Sequence, residues 1–73
     1  MKTLPENYKK NVSILKENLK RGMSQEQANS AINSMEVQFI NADKYNENEK
    51  DFLNEMRKVM IEHFTHLSIN IIK

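Results

Sequence analysis

Residues 20–28 read KRGMSQEQA: a basic helix end, the chain's one glycine, a methionine, then serine and a run of helix formers. Lys20 and Arg21 suit the negative end of a helix dipole, and Gly22 can take the left-handed conformation that closes a helix. Ser24 with Gln27 three residues later is a capping box, and Met23 ahead of it can pack on Ala28 as a hydrophobic staple. One helix therefore stops near residue 21 and another starts at 24. The fold follows from working outward from that corner.

Upstream, Thr3 with Glu6 makes another capping box, and Pro5 sits where a first helical turn loses nothing by a missing N–H. Tyr8, Val12, Leu15 and Leu19 recur at four, three and four residues, one face of a helix over about 4–21. Downstream, Ala28, Ala31, Ile32, Met35, Phe39 and Ala42 keep the helical period over about 24–43, and nothing in that run requests a turn. Residues 43–49, DKYNENE, form a second corner. Asn46 and Glu49 are a third capping box, Glu47, Glu49 and Asp51 favour the positive end of a helix, and Tyr45 can staple the Lys50 stem or the core.

A third helix over about 47–68 carries Phe52, Leu53, Met56, Val59, Met60, Phe64 and Leu67 on one apolar face. Beyond it, Leu67, Ile69 and Ile71 fit a helix, yet they also alternate with Ser68 and Asn70 as a strand would. A lone strand has nothing here to pair with, so residues 69–73 are expected to be a loosely held apolar tail. The expected architecture is all-α and a single domain over 1–73. It is a small three-helix bundle, or a long helical hairpin with the first helix docked on it, with antiparallel neighbours and dimerisation in reach.

Composition narrows the function. At 73 residues a single core supplies only about 3–5 kcal/mol of stability, which makes self-association a reasonable expectation. There are no cysteines, hence no disulfide framework, thiolate zinc site or nucleophilic thiol. The opening MKTLPENYKK has no apolar signal-peptide core, and apolar runs of two or three residues give no membrane span, so a cytoplasmic protein is expected. A formal net charge of +1 is far from the basic balance of a typical nucleic-acid binder.

The charge is unevenly spread. Residues 1–22 carry six cations, Lys9, Lys16, Lys20 and Arg21 among them, against Glu6 and Glu17, or +4; residues 23–51 sum to −4 and residues 52–73 to +1. Oppositely charged helices lying side by side would account for this, exposed pairs adding little stability while favouring one topology. A basic first helix could also steer an acidic partner.

The stretch RGMSQEQA resembles the start of the first motif helix in repressor-type helix-turn-helix proteins, whose pattern often reads arginine-glycine-leucine-serine-glutamine-glutamate. That resemblance covers some eight residues and implies a turn near Asn33 and a DNA-reading helix from about Met35. The sequence then departs from the pattern. Asn29 stands where the family has a small alanine, Asn33 at its turn glycine and Ser34 where an apolar residue is expected. No arginine or lysine follows before Lys44, whereas recognition helices need donors for bases and phosphates. A continuous helix is the preferred reading.

Chemistry is sparse. His63 and His66 stand three apart beside Glu62, a spacing that can turn two imidazoles to one face, but no further ligand has a recognised spacing. No glycine-rich elbow or phosphate loop frames a nucleophile or nucleotide. No catalytic, metal or cofactor-binding residues are assigned, and no cofactor is expected. The methionines on the apolar faces fill core gaps or adapt to a partner groove.

The sequence thus points to a non-enzymatic protein-binding regulator of the inhibitor or adaptor type that occludes a partner surface. Met35, Phe39, Met56, Met60, Phe64, Ile69 and Ile71 are the expected contact residues, and Lys9, Lys16, Lys20 and Arg21 the steering charges. The partner is another protein or a second copy. A helix-turn-helix DNA-binding regulator and a structural homo-oligomer are the alternatives. The short, motif-poor chain, rich in asparagine and lysine, fits a phage or mobile-element origin.

Overall fold

A computed structural model describes the backbone of residues 4–72 and the side chains of residues 4–67. It consists of α1 (Glu6–Lys20), α2 (Gln25–Asn41) and α3 (Glu47–Ile72), is 83% helical, and has no strand among the described residues. α3 packs against both α1 and α2 as a small three-helix bundle. Tyr8 meets Phe52 at the starts of α1 and α3, while Lys20 and Leu67 share a groove near their ends, so these two helices run parallel. α2 returns antiparallel between them in chain order, with Phe39 near its end beside Phe52.

Both corners use the same device. At the end of α1, Gly22 N–H donates to Leu19 and Met23 N–H to Asn18, with Gly22 at φ 111°. At the end of α2, Asp43 N–H donates to Ile40 and Lys44 N–H to Phe39, with Asp43 at φ 57°. These paired bonds satisfy carbonyls that a helix end leaves without partners. Ser24 caps α2 as expected: its hydroxyl accepts from Gln27 N–H at 3.1 Å, and the Gln27 side chain accepts from Ser24 N–H at 3.1 Å. Asn46 N–H donates to Glu49 Oε1 at 3.1 Å, the matching half of the box at α3.

Three boundaries differ from expectation. α1 begins at Glu6 with Pro5 at its N-cap and no side-chain cap; Thr3 lies outside the described residues. α2 ends at Asn41, and Ala31 and Ala42 are exposed, because a face this narrow seats only Ala28, Ile32, Met35 and Phe39 against its neighbours. α3 does not stop near 68 but continues to Ile72, since no glycine or proline ends the run and Leu67 and Ile71 keep the helical period. The side chains of Ile69 and Ile71 lie outside the described residues.

α3 supplies half of the buried core. Phe52, Leu53, Met56, Val59 and Met60 are buried with Val12, Leu15 and Leu19 of α1 and Ala28 and Ile32 of α2. The consecutive pairs Phe52–Leu53 and Val59–Met60 widen the apolar face of α3 so that it covers two neighbours at once. Leu4, Tyr8, Met23, Met35, Phe39, Tyr45 and Phe64 close over this core. No buried polar side chain occurs among the described residues.

Candidate protein-binding surface

Two polar clusters fasten the helices and thereby fix which faces stay open. Tyr8 stacks on Phe52 and meets Phe39 edge-on at 6.0 Å, so one ring from each helix joins at this end of the bundle. The Tyr8 hydroxyl donates to Glu49 Oε2. That bond, with burial and the carboxylate's charge, pushes the Tyr8 phenol up to about 12. It also holds the Glu49 carboxyl below its usual range. Between α2 and α3, Glu36 accepts from Tyr45 Oη at 2.7 Å and from Arg57 at 3.1 Å, and Arg57 reaches Asn33 at 3.4 Å. The Tyr45 and Arg57 bonds lower the Glu36 carboxyl, and the Glu36 bond raises the Tyr45 phenol.

α3 has 26 residues against 15 in α1, so its apolar face outruns the shorter helix. Where α1 gives out, an open groove of 510 Å³ separates the two. Leu19, Val59 and Leu67 supply its apolar surface. Lys16 and Lys20 line it from α1, and Glu55, Lys58, Glu62, His63 and His66 from α3. Leu67 keeps 43% of its surface exposed there, and Phe64, half-buried, meets His63 edge-on at 4.9 Å. Among the described residues, no cluster of three histidines or acids stands close enough to hold a metal ion.

The outer face of α2 is a second open surface. Val37 and Ile40 are each 54% exposed, and their exposed neighbours Ser30, Ala31, Asn33, Ser34, Gln38 and Asn41 carry no charge. Ile14 and Ile61 stand singly on the outer sides of α1 and α3, an ordinary feature of a protein surface.

The expected contact residues divide accordingly. Met56 and Met60, expected as partner anchors, are buried in the core of the chain itself, on the stretch of α3 that α1 and α2 flank on both sides. Met35 and Phe39 are half-buried against that core, and Phe64 is half-buried beside the groove. Of the expected steering charges, Lys16 and Lys20 flank the groove and Arg21 is exposed at the α1 C-cap. Lys9 lies toward the other end of α1, 3.8 Å from Glu6. The structure adds Leu67 and Lys58 to the candidate surface, over a floor of buried Leu19 and Val59; the end of α1 near residue 21 was visible in sequence, but its packing alongside the longer α3, which makes the groove, was not.

α2 runs unbroken through Asn33 and Ser34, so the two short helices and intervening turn of the repressor motif do not form. Among the described residues no helix is long and apolar enough to cross a membrane. No protein-family model, curated protein or solved structure matches this chain.

Proposed function

We propose that the protein is a small, non-enzymatic, cytoplasmic protein-binding regulator of the inhibitor or adaptor type, which acts by occluding a partner surface with an apolar helical face. The observation that carries this reading is the groove where α3 outlasts α1, with Leu67 exposed beside Leu19 and Val59 and lysines at its edge. An apolar strip bordered by charge is the usual make-up of a helix-recognition surface. The contact residues are therefore Leu67, exposed, and Phe64, half-buried, with Leu19 and Val59 forming the floor of the groove and Met56 and Met60 internal.

The test is affinity capture of the tagged protein from host lysate, with and without nuclease, beside the variant Leu67→Glu. The reading expects a stoichiometric protein that survives nuclease and is lost with the variant. Capture that vanishes with nuclease sinks it and favours a nucleic-acid partner.

A second reading, a structural homo-oligomer, is favoured by the uncharged outer face of α2 with Val37 and Ile40 exposed, because a two-fold axis there would bring no like charges together. It expects melting that depends on protein concentration and loses that dependence in Val37→Asp/Ile40→Asp.

A further inference from the structure

We infer that the groove between α1 and α3 seats an acidic amphipathic helix of about three turns from another protein. This assignment rests on the protein-binding reading and names its ligand. From Glu55 to Leu67 the α3 wall spans twelve residues, ~18 Å at the helical rise, which sets the length of the occupant. The apolar stripe of the occupant covers exposed Leu67 and half-buried Phe64, above a floor of buried Leu19 and Val59.

Charge decides the rest. The α1 wall presents only cations, Lys16 and Lys20. Lys16 and Lys58 make no ion pair among the described residues, and Lys20 has only the loose 4.0 Å contact with exposed Glu17. Carboxylates on the flank facing α1 satisfy these lysines. Glu55 and Glu62 on the α3 wall repel a phosphate backbone and leave a polyanion worse matched than a helix that is acidic on one flank. A second copy fits poorly too: the exposed face of α2 is nearly uncharged and that of α1 is basic, so neither offers a flank of carboxylates to Lys16 and Lys20.

The probe is a synthetic helical peptide with leucines at i, i+3, i+4 and i+7 and glutamates along one flank, compared with a twin carrying lysines there instead. Amide shifts and fluorescence anisotropy report binding to the intact chain, and circular dichroism checks each variant's fold. The acidic peptide is expected to bind about tenfold or more tightly than its twin, a difference of ~1.4 kcal/mol, and to shift residues 16–20 and 55–67. Lys16→Glu/Lys20→Glu should weaken it about tenfold. Leu67→Glu, at an exposed position, should abolish it while the helix content stays unchanged. Equal affinity for the twins, shifts confined to α2, indifference to the lysine reversal, or tighter binding of duplex DNA at these residues overturns the assignment. If neither peptide binds but a lysate partner is captured and then lost with Val37→Asp/Ile40→Asp, the protein-binding reading stands and the groove assignment falls. If neither peptide nor lysate protein is held, both fall.

Discussion

Tyr8 lies flat on Phe52, ring centroids 4.5 Å apart and 13° between planes, while its hydroxyl donates to Glu49 one turn earlier on the same helix. The other oxygen of Glu49 takes the N–H of Asn46, so a single carboxylate joins the docking of α1 to the first turn of α3. Tyr8→Phe keeps the stacking and loses only the hydroxyl, so a cost of about 1 kcal/mol is expected from urea unfolding. Tyr8→Ala, which also removes the ring from its contacts with Phe39 and Phe52, should cost about 3 kcal/mol. Equal losses for the two would mean that the stacking contributes nothing.

The same pair sets the pH response at both ends. The folded state holds the Tyr8 proton to about 12, above the ordinary 10.0. The unfolded chain therefore loses that proton first, and stability that is complete below pH 10 falls between pH 10 and 12. Glu49 is lowered from 4.5, so its contribution is present above that value and fades as pH drops through the folded-state value. Unfolding midpoints across pH should show a smaller alkaline loss in Tyr8→Phe than in the parent. An unchanged alkaline limb in that variant would rule the pair out as its source.

The two corners predict substitutions of opposite sign. Gly22 has φ 111° with open space where a Cβ would stand, so Gly22→Ala meets no clash and should destabilise through backbone strain alone, by roughly 1–2 kcal/mol. Asp43 occupies the equivalent position at φ 57°, where glycine is the favoured residue, so Asp43→Gly should stabilise by up to about 1 kcal/mol. Thermal melts of the two variants should move in opposite directions.

Aspartate substitutions should separate internal from open apolar positions. Met60→Asp places an unpaired carboxylate in a site 6% exposed and should unfold the chain or cost well over about 3 kcal/mol. Val37→Asp, more than half exposed, should change stability by less than about 0.5 kcal/mol. Only the second kind of variant can report on partner binding, and chemical denaturation distinguishes them directly.

Much of the fold was legible before any coordinates. The KRGMSQEQA corner, the Ser24–Gln27 box and the apolar periods of all three helices depend on neighbours within four residues, the range over which helix caps and faces are written. The site was less legible. Met56 and Met60 carry the same spacing as Leu67, and nothing local says that the first two are covered by α1 and α2 while the third extends past them.

What the sequence by itself determined, then, is three amphipathic helices, their corners and their order along the chain. Tertiary structure alone decided that α3 lies against both partners, that Tyr8 reaches Glu49 across 41 positions, and that the apolar face of α3 is spent internally up to Met60 and open near Leu67. The physical reason is one of range. Caps and periodicity arise from contacts within a turn, whereas burial depends on where a neighbouring helix ends, and that is settled only when helices of unequal length are laid side by side.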